Sequence, residues 1–136
     1  LPSEIEGSRR VKAAYVDTSC LVAIAFGEPG SARMVSRLKA NDVILASGLV
    51  EAELKAALIR EGLSGEAVDF LPGLDWVYPD RPLGLEIDRV LAAGYVKGAD
   101  AWHLACALFL APDGADLHFE TLDARQRAVA AKLGFR

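Results

Sequence analysis

Apolar and polar positions change period several times along the chain, and each change marks an element. "VKAAYVD" (11–17) is a short apolar run with β-branched residues, the pattern of a buried strand. "SCLVAIAF" (19–26) reads as a helix closed by Gly27 and the turn "GEPG". Met34, Val35 and Leu38 recur at helical spacing within 31–40, and "DVILAS" (42–47) is a second buried strand. "SGLVEAELKAALIREG" (47–62) is a strongly amphipathic helix stopped by Gly62. A short helix over 65–73, broken at Pro72, a third strand over 74–79 and a helix over 82–95 follow. The segment 98–111 is apolar nearly all round, so its helix is buried on most sides. A fourth strand over 115–123 and a helix over 123–135 complete the pattern. Such alternation predicts an α/β fold with a central, mainly parallel sheet flanked by helices.

Composition sets the frame. The chain has 136 residues, 52% of them apolar, enough for one domain with a real core. Cys20 and Cys106 lie in apolar helical patterns and read as small buried hydrophobes in a reducing compartment. No segment has the ~18 consecutive apolar residues of a membrane helix. Residues 1–10 are polar, lack the apolar run of a signal peptide and do not begin with Met. They read as a processed, artificial or disordered start outside a domain spanning 11–136. A cytoplasmic protein is the expectation. The net charge of −4 argues against a dedicated nucleic-acid binder unless the negative charge is localised.

Four carboxylates stand out. Asp17 follows the first strand, which is expected to be central, and a helix cap worth ~1 kcal/mol is its simplest role. Ligands of open parallel sheets, however, bind beyond the carboxyl ends of the strands. Glu53 belongs to the apolar stripe of Leu49, Val50, Leu54, Ala57 and Leu58, so it points inward and needs a cationic partner. Glu51 and Lys55 form an outward i,i+4 pair. Asp100 resembles a cap of the most apolar helix; His103, one turn on, reads as a hydrogen-bonded core residue. Asp123 follows the fourth strand and is another cap candidate. Three of these acids are expected at strand-to-helix junctions, which parallel topology gathers at one sheet edge. Four adjacent anions repel, and divalent cations such as Mg²⁺ or Mn²⁺ relieve that repulsion. Apart from these four, the acids balance the 15 Lys and Arg.

In this order, "YVDTSCLVAI", "SGLVEAELKAAL", "GADAWHLACAL" and "TLDARQRAVAAKLGF" resemble the PIN-domain nucleases, and among them the VapC-type toxins of bacterial toxin–antitoxin pairs. The resemblance spans about Val11 to Phe135. It implies a single PIN-like domain with a sheet of four strands, or five if an edge strand follows the last helix. It implies a ribonuclease whose acids are Asp17, Glu53, Asp100 and Asp123, holding one or two Mg²⁺ or Mn²⁺ ions. Thr18, Ser19 and Thr121 would support them. Hydrolysis of the RNA phosphodiester would leave a 5′-phosphate and a 3′-hydroxyl. The resemblance also implies a homodimer and an antitoxin partner. Met34, Val35 and Leu38 offer an apolar face for this but read better as core.

Trp102 departs from the family's usual Leu, and basic residues expected near the cleft, Lys97 and Arg125, are sparse. A PIN nuclease of RNA processing or structured nucleic acid, and a non-catalytic module of the same fold, are the competing readings. A D-x-D phosphatase is excluded by Ser19, and a receiver domain by the lack of paired acids at the first strand.

Overall fold

A computed structural model describes residues 11–63 and 73–136. The expected helix at 65–73 and the expected start at 1–10 therefore lie outside the described residues, save Gly73 in a turn. The elements are β1 (Ala13–Val16), α1 (Thr18–Ala25), α2 (Ser31–Lys39), β2 (Val43–Ser47) and α3 (Gly48–Arg60). After them come β3 (Leu74–Val77), α4 (Gly84–Ala93), α5 (Gly98–Leu110), β4 (Leu117–Glu120) and α6 (Ala124–Lys132).

The four strands form one parallel sheet in the order β3-β2-β1-β4. Asp17 thus leaves a central strand, as the sequence suggested. Beyond β4, Arg136 donates its N–H to Leu117 O and accepts from Phe119 N–H, while no fifth strand is formed among the described residues.

Strand alternation sends side chains to two separate cores. Val16 and Ala46 pack with Cys20, Leu21, Met34, Leu38, Val50, Leu54 and Leu58 beneath α1, α2 and α3. Tyr15, Leu45, Val77, Leu117 and Phe119 pack on the other face with Leu104, Leu108 and Val90. Met34 and Leu38 are buried, so that face of α2 is core rather than a free docking surface. Trp102 packs half-buried against the second core, where its extra bulk is absorbed.

Glu51 and Lys55 make their outward pair at 2.7 Å. Both thiols are buried, and burial pushes Cys106 up to about 12 and Cys20 higher still. Neither is a thiolate at neutral pH, which removes cysteine nucleophile chemistry.

Gly134 closes α6 at φ +100°, where a Cβ would lie 2.8 Å from Asp113 O. Gly134→Ala is expected to cost about 2 kcal/mol through the left-handed backbone and this clash. A urea melt checks it; an unchanged midpoint would show that the turn relaxes freely.

Candidate active site

Parallel pairing brings the carboxyl ends of β1, β2 and β4 to one rim of the sheet. There Asp17 caps α1 and is buried. Its Oδ1 accepts from Ser19 Oγ (2.7 Å) and, over a long 3.4 Å, from Cys20 N–H. Its Oδ2 lies 2.7 Å from Thr121 Oγ1, beyond the end of β4. Asp123 caps α6 by accepting from Gln126 N–H (2.8 Å), and its own N–H donates to Thr121 Oγ1 (3.0 Å). Asp17 and Asp123 therefore do fill the capping roles read from the sequence, and they meet at a shared threonine.

Glu53 reaches the same rim from α3. Thr18 Oγ1 donates to its Oε1 at 2.6 Å, and His103 Nε2 lies 3.1 Å from that oxygen. Where the sequence leads us to expect a cationic partner for this acid, the structure places a buried histidine. His103 Nδ1 is 2.9 Å from the Tyr15 hydroxyl. The arrangement is satisfied when Tyr15 donates to Nδ1 and Nε2–H donates to Glu53. Burial pushes the Tyr15 phenol far up, so it remains a donor.

Asp100 corrects two expectations. Its helix follows α4 rather than a strand, and Lys97, not Asp100, is the residue before the first turn. The Asp100 carboxylate accepts no hydrogen bond among the described residues. Desolvation raises it above the ordinary carboxylate range, and the charges of Asp123, Asp17 and Glu53 raise it further, against a smaller opposing effect of His103. The charges of acids 17, 53 and 123 thus all reach Asp100. No three of the described His, Cys, Asp and Glu side chains stand close enough to cage a cation as they are. Hydroxyls hold Asp17 in its present rotamer, Thr18 and His103 hold Glu53, and the Gln126 N–H holds Asp123.

That field has a sign in stability. Asp100 folds with a raised value, so its contribution is fully present below the ordinary unfolded value. It is lost as pH rises through the folded value. In chelator, Asp100→Asn is expected to raise the melting temperature at neutral pH, with the gain vanishing in acid. Parallel melting curves of the two proteins across pH would show otherwise.

Sequence reading missed Gln126, which is buried completely. Its Nε2 donates to the Asp100 carbonyl (3.2 Å), which fixes its Oε1 toward Thr121 Oγ1 (2.8 Å). Position 126 lies on the buried side of α6 in a sequence otherwise apolar there, and that was the only available signal. Thr121 has one proton and two acceptors facing it, Asp17 Oδ2 and Gln126 Oε1. Ser19 cannot help, because its proton goes to Asp17 Oδ1. One buried acceptor is left without a donor, a cost of about 1–3 kcal/mol.

The family profile of the PIN domain matches residues 14–132. The chain belongs to the PIN domain family. Among solved structures, Mycobacterium tuberculosis VapC20, described as a Sarcin-Ricin loop cleaving toxin, matches with a TM-score of 0.64 and 19% identity. The match covers 85% of this chain and 93% of VapC20, and it shows that this PIN domain shares the fold. No curated protein matches the chain. No described helix of this PIN domain is long and apolar enough to cross a membrane.

Proposed function

We propose that this PIN domain is a divalent-cation-dependent endoribonuclease, the toxin of a VapBC-type pair. The observation that carries this is the junction of four acid-bearing segments. Asp17 and Asp123 share Thr121, Gln126 ties Thr121 to Asp100, and Thr18, next to Asp17, holds Glu53. The donor set fits Mg²⁺ or Mn²⁺: the ligands are hard oxygens, they repel one another, and Asp17 Oδ2 or Gln126 Oε1 lacks a proton donor. Asp17, Glu53, Asp100 and Asp123 would hold one or two ions. Bound there, such an ion supplies Lewis acidity, lowering the pKa of water and screening phosphate charge.

The chain's own residues do the rest. Ser19 and Thr121 orient Asp17, while Thr18 and His103 orient Glu53. Buried Tyr15 fixes the His103 ring, so the Glu53 carboxylate is presented rather than free to swing. Arg33 is exposed on α2 and, with Leu122, lines a cavity of about 170 Å³ beside Asp123's strand end. A cation there would meet RNA phosphate, a contact weakened by salt.

The likeness to VapC20 supports the toxin reading, with a homodimer, a VapB-like antitoxin and a cytoplasmic setting as its corollaries. Expression in a bacterium followed by mapping of new RNA 5′ ends tests it. Growth arrest with discrete cuts is expected; normal growth and no new ends would refute it.

A further inference from the structure

We propose that Gln126 is a positioning residue for cation binding at Asp17, acting through the Thr121 hydroxyl. The inference rests on the cation reading above. Two of the four acid-bearing segments, those of Asp100 and Asp123, meet on this one side chain and its own N–H, and that of Asp17 is reached through Thr121. Gln126 N–H donates to Asp123 Oδ1 at 2.8 Å, Nε2 donates to the Asp100 carbonyl at 3.2 Å, and Oε1 faces Thr121 at 2.8 Å. Thr121 in turn faces Asp17 Oδ2 at 2.7 Å.

The single Thr121 proton decides what this arrangement does. Its lone pairs take the Asp123 N–H at 3.0 Å, and Ser19 Oγ stands 3.5 Å away with its proton already given to Asp17. Without a cation, the charged acceptor Asp17 Oδ2 is the stronger claimant for the hydroxyl proton. Gln126 Oε1 is then left facing a lone pair. With positive charge on Oδ2, that oxygen no longer needs the hydroxyl, and the proton turns to Gln126. Only hydrogen bonds change partners, and no proton leaves its oxygen. Gln126 thereby makes release of Asp17 favourable. An apolar residue at 126 leaves the Thr121 proton with nowhere else to go, so it competes with the cation for Oδ2.

The test is Mn²⁺ titration of the intact chain by calorimetry. The proteins compared are wild type, Gln126→Met, Thr121→Val and the double variant. Methionine keeps the length and apolar fit of glutamine but can neither accept from Thr121 nor donate to Asp100. Gln126→Met is expected to weaken Mn²⁺ binding about tenfold or more, the range for partners that orient metal ligands. The double variant is expected to bind no more weakly than Thr121→Val alone, because Gln126 acts through the hydroxyl. Losses that add in full would mark a merely structural role and overturn the proposal, as would unchanged affinity in Gln126→Met. Circular dichroism checks folding. Should the methionine variant not fold, Gln126→Glu carries the test. It keeps an acceptor for Thr121, so binding no weaker than wild type is expected, and a tenfold loss would overturn the role. Wild type that takes up no Mn²⁺ removes the cation site itself, and this inference with it. Wild-type uptake with an unaffected Gln126→Met removes only the role of Gln126.

Discussion

Asp17→Asn is expected to abolish RNA cleavage while making the metal-free protein more stable. The two effects share one cause. Asparagine keeps Oδ1, so Ser19 and Cys20 N–H retain their acceptor. Its NH₂ replaces Oδ2 and donates to Thr121 Oγ1, which frees the Thr121 proton for Gln126 Oε1. The acceptor left over in the cluster is then matched, and one charge that repels Asp100 is gone. The gain should be about 1–3 kcal/mol, the cost of a buried acceptor without a donor. The loss is larger. A cation contributes several kcal/mol of charge stabilisation to phosphodiester cleavage. At about 1.4 kcal/mol per tenfold, forfeiting its buried ligand means a fall of about 10³-fold or more. Melting in chelator and cleavage in Mg²⁺ measure the two halves separately. A variant that cuts like wild type would dismiss Asp17 from the site. A variant that melts lower would refute the proton count.

This trade of stability for chemistry explains what the sequence could and could not disclose. The strands and helices were legible because each obeys a local period. Residues 13–16 and 43–47 are short apolar runs, and Leu54 and Leu58 sit one turn apart on a buried stripe. Glu53 was legible for the same reason, as an acid on an apolar stripe. Its partner was not, because His103 lies 50 positions away and nothing local couples the two. Asp100 was read as a cap from its place before an apolar run, yet it stands in the first turn with its carboxylate left over. Gln126 escaped notice because its three contacts come from α5, the end of β4 and its own helix. A polar residue at one buried helix position is an ordinary surface residue until the tertiary fold covers it. The basic residues gave little signal either: Lys97 and Arg125 were named, while Arg33 on α2, which borders the cavity at Leu122, carries no local pattern that singles it out.

Leu104→Ala is expected to cost about 3–4 kcal/mol, yet to leave Mn²⁺ binding nearly intact. Leu104 is fully buried among Leu108, Leu117 and Val90, where rigid neighbours from a sheet and two helices cannot close a void. Large-to-small changes at such sites lose the transfer free energy of the removed atoms and leave a cavity as well. Against a total stability of about 5–15 kcal/mol this is a large fraction. At roughly 2 kcal/mol per molar urea, the midpoint should fall by nearly 2 M. The same helix carries Asp100 one turn earlier, a route by which a slack core would loosen the acid rim. The rim has its own anchors, however. Gln126 holds the Asp100 carbonyl from α6, and Ala101 N–H donates to Lys97 O within the first turn. These bonds do not pass through Leu104. The folded fraction should therefore bind Mn²⁺ within about threefold of wild type, since the truncation leaves the backbone intact and the leucine side chain makes none of the hydrogen bonds that hold the acids. Binding weakened as far as in Gln126→Met would mean that the acids are positioned by core packing along α5 and not by the polar cluster at its end.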